Sequence, residues 1–268
     1  MTIHSSEADR ISLLGVDYTH LKRMDGGELY LTNFGFPFRE QLAPENWYAQ
    51  DWFASHRTRL EGTSAIYRVP TRPVRSQSLN LVVRFSRVGQ EVPLQTFTRK
   101  ESLLTEFNSP FEEFALVMKL RAGGLSRSRP RILTKRPLAI YVPAEKLQDW
   151  QSGRLESKMA AKVARHPEVK LDMFRQYILL YGWIKGLNAV EATHALGMVG
   201  SSADEFLKET TLRAIHELEQ NGFRVADIKP EHVVLRIEPN CSFLRLRNGK
   251  PAYALVDYEL LEPVEESG

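Results

Sequence analysis

Apolar positions along the chain repeat with two different periods, and the period changes from region to region. Leu79-Asn80-Leu81-Val82-Val83-Arg84-Phe85 is short and rich in β-branched residues, which predicts a strand. Upstream, Glu61-Gly62-Thr63-Ser64-Ala65-Ile66-Tyr67-Arg68-Val69 places a turn of small residues between two strand-like runs. Residues 58–100 therefore read as β. Over 109–122 the period lengthens, with Phe111, Phe114, Ala115, Met118 and the pair Leu116 and Leu120 forming a buried helical stripe. Ser109 suits the N-cap, Pro110 the first helical position and Glu112 the capping-box position, while Gly123-Gly124 stops the helix. Leu138-Ala139-Ile140-Tyr141-Val142 then returns to a buried strand.

From residue 144 the pattern reads as helical. Arg154 to Arg165 makes one helix, ended by His166-Pro167. Leu171 to Leu187 makes a second, with Phe174, Ile178, Tyr181 and Ile184 on one face. A third starts at Ser202, with Glu205 completing a capping box, and stops at Asn221-Gly222. Two apolar strands follow, Val233-Val234-Leu235 and Leu255-Val256. They are expected to pair as a hairpin across the turn-like Pro239-Asn240 and Asn248-Gly249. At the other end, residues 1–57 carry Tyr30, Phe34, Phe36, Phe38, Trp47, Tyr48, Trp52 and Phe53 among Pro37 and Pro44. Turns and short elements that bury these aromatics against the next lobe are expected there.

Composition narrows the class. At 268 residues the chain can hold one large domain or two lobes. A net charge of +3 is too small to favour nucleic acid as a partner. The most basic run is 121–136, where a solvated loop outweighs an anion-binding surface. The single cysteine, Cys241, excludes an internal disulfide and a cysteine-based zinc site, which fits a reducing, cytoplasmic setting. The longest apolar stretch, Tyr177 to Ile184, is too short to span a bilayer.

The candidate chemistry lies late in the chain. In Val225-Ala226-Asp227-Ile228-Lys229-Pro230-Glu231-His232 a loop aspartate precedes an apolar strand, with a lysine two residues after it. The companion Leu255-Val256-Asp257-Tyr258-Glu259 ends a strand in a second aspartate. Phosphoryl transfer uses such a set: a carboxylate to orient a hydroxyl, another to hold Mg²⁺, and a cation near the moving phosphate. The Gly62-Thr63-Ser64 turn can lay backbone N–H groups over phosphates.

These two stretches resemble the protein-kinase catalytic loop, H-R-D-x-K-P-x-N, and the metal-binding D-F-G that follows it. Val225 and Ala226 stand where that family has His-Arg, His232 where it has the metal-binding Asn, and Tyr258-Glu259 where it has Phe-Gly. A histidine at the His232 position also recurs in the kinase-like lipopolysaccharide core heptose kinases. The resemblance implies an α+β, two-lobe protein kinase-like fold, with a β-rich N-lobe over 58–143 preceded by an extension over 1–57. A helical C-lobe over 144–268 would end soon after the D-F-G-like strand.

The resemblance also distributes roles. Asp227 would orient the acceptor hydroxyl and Lys229 stabilise the transferring phosphate, while Asp257 and His232 would bind Mg²⁺. Arg84 stands at the strand position of the family's phosphate-binding lysine. Glu113 matches the helical glutamate that pairs with it, and Gly62, Thr63 and Ser64 match the phosphate-covering turn. Tyr141 to Glu145 would hold adenine through the main chain. ATP and Mg²⁺ are thus the implied cofactors. The chain stops eleven residues after Asp257, short of an activation segment, which favours a small-molecule or lipid-linked sugar acceptor over a protein. The alternatives are a degenerate kinase acting as a regulator or scaffold for a protein partner, and a nucleic-acid binder using 121–136.

Overall fold

The computed structural model of the protein describes residues 8–60, 64–93, 105–123, 132–236, 246–247 and 249–264. It is a mixed α+β structure. In chain order the first strands are β1 (Ala8–Leu13), β2 (Val16–Lys22) and β3 (Glu28–Leu31), followed by helix α1 (Gln50–His56). Then come β4 (Thr58–Arg59), β5 (Ile66–Pro70), β6 (Asn80–Phe85) and helix α2 (Pro110–Arg121). Next are β7 (Leu133–Thr134), β8 (Pro137–Val142), helices α3 (Asp149–Ser152) and α4 (Glu156–Arg165), and β9 (Ile178–Gly182). The remainder holds β10 (Leu187–Asn188), α5 (Ala189–Ala195), α6 (Ser201–Gln220), β11 (Phe223–Val225) and β12 (Val233–Leu235). Last are β13 (Leu246–Arg247), β14 (Lys250–Pro251), β15 (Tyr253–Leu255) and β16 (Leu261–Pro263).

The chain divides into two units, Met1–Ala115 with Arg136–Trp183, and Leu116–Lys135 with Ile184–Gly268. This division does not follow the boundaries at 57/58 and 143/144 expected from the sequence. In the first unit one antiparallel sheet runs β1-β2-β3-β8-β9-β6-β5-β4. Residues 1–57 are therefore more than an extension of turns, since β1–β3 continue the sheet beyond β8. The strand signal was present in Val16-Asp17-Tyr18-Thr19-His20, which alternates buried and more exposed positions. Seven of the eight aromatics are buried or half-buried as expected, while Phe36 is exposed. Trp47 and Phe53 join the core, and Phe34, Phe38 and Tyr48 pack against it.

Side chains alternate across each strand, so the sheet has two distinct faces. Val69, Leu81, Val83 and Leu180 face the layer that carries Leu42, Trp47 and Phe53. Arg84 and Tyr181 occupy the opposite parity on β6 and β9, because Val82 pairs with Tyr181 and Arg84 with Leu179. The Tyr181 ring sits 5.1 Å from that of Phe114 on α2. Cover on both faces explains the main correction. Residues 171–187 contain the strand β9, not a helix, because Ile178 to Tyr181 are buried consecutively in the middle of the sheet. A continuous apolar run of that length fits either element, and the i, i+3, i+4 spacing of Phe174, Ile178 and Tyr181 was coincidental.

Helix α2 starts as its sequence dictates. The Ser109 backbone N–H donates to Glu112 Oε2 (2.7 Å), and the Glu112 backbone N–H donates to Ser109 Oγ (3.2 Å). Helix α4 starts two residues later than expected, at Glu156, and ends as expected at Arg165 before His166.

In the second unit, β12 pairs antiparallel with β15 as expected, with Val233 opposite Leu255. The sheet is completed in the order β10-β12-β15-β7, β7 lying parallel to β15. Strands β13 and β14 form the turn around Gly249, and β11 pairs with β16. Helix α6 begins one residue earlier than expected and lacks the Ser202–Glu205 box. Gly200 caps it, while Ser202 Oγ donates to the Val199 carbonyl (2.9 Å). Gly186 precedes β10 with no room for a side chain, since a Cβ there would overlap the Leu235 carbonyl. Among the described residues no helix is long and apolar enough to cross a membrane.

Candidate active site

Each unit holds one set of the expected polar residues. In the first unit, β6 presents Arg84 and the first turn of α2 presents Glu113. Arg84 Nη2 donates to Glu113 Oε2, forming an ion pair whose side chains are only 4 % and 2 % exposed. Tyr181 Oη, reaching from β9, donates to the other oxygen, Glu113 Oε1. The carboxylate is thus held on both oxygens between a cation and a phenol, out of water. The adjacent glutamate has a different task. Glu112 caps α2 and receives Lys162 Nζ (3.0 Å) and His166 Nε2 (3.0 Å) from α4 and its C-terminal end. Burial works to raise the Glu112 pKa. The Lys162 ammonium and the hydrogen bonds from Ser109 outweigh it, and the carboxyl is held below its ordinary range.

The two glutamates of Pro110-Phe111-Glu112-Glu113 therefore divide as the sequence suggested, one to the cap and one to the strand cation. Tyr181 was missed, having been assigned to a helix. Nor did any sequence signal mark Lys162 and His166 as partners of Glu112.

The remaining first-unit candidates fare differently. Ser64 is buried, and Gly62 and Thr63 lie outside the described residues. Tyr141 lies inside β8, paired with Leu29 on one side and Ile178 on the other. Its ring packs against Trp47 and Tyr48, and burial raises its pKa to about 12. A main chain engaged on both edges has no groups left for an adenine.

In the second unit the loop after β11 carries Asp227 and Lys229, and a 3₁₀ turn over Pro230–His232 leads into β12. The His232 backbone N–H donates to the Lys229 carbonyl (2.9 Å), and the Val256 N–H donates to the His232 carbonyl (3.1 Å). These bonds and the β12–β15 register set His232 beside Asp257, with His232 Nε2 3.5 Å from Asp257 Oδ2. His232 Nδ1 is buried with no hydrogen-bond partner among the described residues. Lys229 Nζ lies 2.8 Å from Asp227 Oδ2. All four side chains keep contact with solvent, from 20 % exposed for His232 to 44 % for Lys229.

The residues after Asp257 are anchored. The Glu259 backbone N–H donates to Asp257 Oδ1 (3.2 Å), which orients the carboxylate. Tyr258 is buried, its hydroxyl donating to the Leu255 carbonyl and accepting from the Lys135 backbone N–H (2.9 Å).

Asp257 and His232, the two candidate metal ligands expected from the sequence, lie side by side in the second unit. Among the described residues no group of three or more His, Cys, Asp or Glu side chains is placed to hold a metal ion. Mg²⁺ carried by a nucleotide needs only one or two protein ligands, because phosphates and water fill the rest. Asp257 supplies an oxygen suited to Mg²⁺. His232 supplies an imidazole, which suits Mn²⁺ or Zn²⁺ better. Half of the basic run 121–136, residues 124–131, lies outside the described residues. Within it, Arg121 Nη1 donates to the carbonyl and hydroxyl of Thr134 (both 2.9 Å). No family model and no curated protein matches the chain.

Proposed function

We propose that the protein is a kinase-like, ATP- and Mg²⁺-dependent phosphotransferase with a small-molecule or lipid-linked sugar acceptor. The observation that carries this reading is the Arg84–Glu113 pair. The two residues lie 29 positions apart. Kinases likewise pair a strand cation with a helical glutamate. In this reading Asp227 orients the acceptor hydroxyl and Lys229 neutralises the transferring phosphoryl group, while the sealed Arg84–Glu113 pair holds α2 against the sheet. Asp257 and His232 would hold the Mg²⁺ that bridges the phosphates and offsets their developing charge. Tyr141 leaves the nucleotide set, because its main chain is engaged by β3 and β9. The two-lobe kinase-like architecture is part of the same proposal. The all-antiparallel β4–β5–β6 ladder with Arg84 on its third strand, with α2 the next element among the described residues, supports it.

One observation favours a second reading, a degenerate kinase serving as regulator or scaffold. Arg84 is sealed, and both oxygens of Glu113 are engaged without any phosphate. ADP formation from ATP and Mg²⁺, with water standing in for the acceptor, separates the two. Slow turnover that falls at least about 100-fold in Asp227→Asn, with ATP affinity retained, supports the transferase. Turnover equal in wild type and variant removes Asp227 from the chemistry.

A further inference from the structure

Between Trp52 and Gln90 the chain holds seven arginines, no lysine and a single acidic residue, Glu61. The near-neutral total charge conceals this local excess. Three of the seven are accounted for: Arg84 pairs with Glu113, Arg75 with Glu40 (2.6 Å), and Arg87 stacks 3.9 Å from the Phe107 ring. The other four, Arg57, Arg59, Arg68 and Arg72, are exposed and have no carboxylate within ion-pair distance among the described residues.

All four sit over aromatic rings at one edge of the large sheet. Arg57 lies 5.0 Å from the Tyr67 ring centre and Arg59 lies 5.8 Å from the same centre. Register explains this, because Arg59 on the edge strand β4 is directly opposite Tyr67 on β5. Arg72 lies 5.2 Å from the Trp52 ring, and the other partner of Trp52 is His56, stacked at 3.7 Å and 12°. Arg68 points to the reverse face of β5, over Trp183 at 4.8 Å and hydrogen-bonded to Asn80.

Two guanidiniums sharing one tyrosine with no counter-ion among the described residues repel each other, and an anion placed there would relieve that repulsion. Stacking on a ring fixes the plane of a guanidinium and turns its N–H edge outward, ready for a bidentate anion. Arginine used to the exclusion of lysine points to planar recognition of phosphate or carboxylate. The rings favour phosphate linked to bases, because aromatic and guanidinium planes are surfaces on which unpaired bases stack.

We propose that this edge, formed by Arg57, Arg59 and Arg72 with Trp52, His56 and Tyr67, is a binding surface for single-stranded nucleic acid. It does not rest on the kinase reading, and it uses none of the residues given roles there.

The test is fluorescence anisotropy of labelled 20-nucleotide oligo-U and oligo-dT with the full chain at several salt concentrations. Wild type should bind, with affinity falling steeply as salt rises. The triple variant Arg57→Gln/Arg59→Gln/Arg72→Gln should reduce the slope of log affinity on log salt by about 2, at about 0.7 per phosphate contact. Trp52→Leu should weaken binding about tenfold and leave that slope unchanged, as loss of a stacked base would. Lys208→Gln, an exposed charge change on α6, should leave binding unaltered. Circular dichroism melts confirm that each variant is folded, and Arg57→Lys/Arg59→Lys/Arg72→Lys, which keeps the charge, should retain most of the slope. No binding at 50 mM salt, or a slope unmoved by the triple Gln variant, would overturn the proposal. So would poly-glutamate or anionic vesicles binding as tightly as the oligonucleotides, since the surface would then read charge alone.

Discussion

The two polar clusters use the same kinds of residue under opposite physical conditions. In the first unit Arg84, Glu113 and Tyr181 are withdrawn from water, with the ion-paired side chains 4 % and 2 % exposed. In the second, Lys229 and Asp227 are 44 % and 23 % exposed, and His232 and Asp257 are 20 % and 30 % exposed. Charges in a dry interior are strongly coupled, and each one depends on the other for its stability there. Charges in contact with solvent are screened, contribute little to folding, and remain reachable by a ligand. The sealed cluster therefore fixes α2 against the sheet. The open cluster is the one that a ligand can reach.

Removing one partner of the sealed pair should give the largest effect. Glu113→Ala leaves the Arg84 charge buried and uncompensated, and should lower unfolding free energy by about 3–5 kcal/mol in urea titrations. The double variant Arg84→Met/Glu113→Leu should recover most of that loss, since apolar groups of similar size need no counter-charge. A loss below about 1 kcal/mol for Glu113→Ala would mean that the pair is not dry. Next in size is the cap that positions Glu113. Ser109→Ala removes the acceptor for the Glu112 N–H and should cost about 1 kcal/mol. In the open cluster, the same Asp227→Asn change that tests turnover should move stability by less than about 0.5 kcal/mol. A large loss there would place Asp227 in the scaffold.

A further effect concerns acid. Glu28 on β3 accepts from His20 (2.9 Å) and Tyr30 (2.6 Å), and the His20 hydrogen bond leads in lowering its pKa from 4.5 to about 2. A carboxyl whose folded value lies below its unfolded one adds stability that is fully present above pH 4.5. That stability is lost as the pH falls toward 2. Thermal melts of Glu28→Gln should show a shallower loss of stability over that window than wild type. Identical slopes would show that Glu28 is not linked to folding.

The difference between the clusters also marks what the sequence made legible. Local signals were strong where the chain makes its own contacts. The Ser109–Glu112 cap, the end of α4 before His166-Pro167 and the β12–β15 pairing all follow from neighbouring residues. Arg84 and Glu113 were nominated through the kinase resemblance, and the structure brings them together. Signals failed where burial comes from distant segments. Ile178 to Tyr181 reads equally well as helix or strand, because sheet cover on both faces removes the alternation that would decide it. With β9 read as a helix, neither Tyr181 as the second donor to Glu113 nor the pairing of Tyr141 with a strand on each side is legible. The arginine edge went unnoticed for a related reason: Arg57, Arg59 and Arg72 meet their aromatic partners only through the β4–β5 register and the packing of α1.

The most direct test of the kinase reading is calorimetric titration of ATP into the full chain, with and without Mg²⁺, alongside Asp257→Ala. Magnesium-dependent binding that disappears in Asp257→Ala, while the variant stays folded, is the expected result. Absence of binding at millimolar ATP in either condition, or binding indifferent to Mg²⁺ and to Asp257, would contradict it.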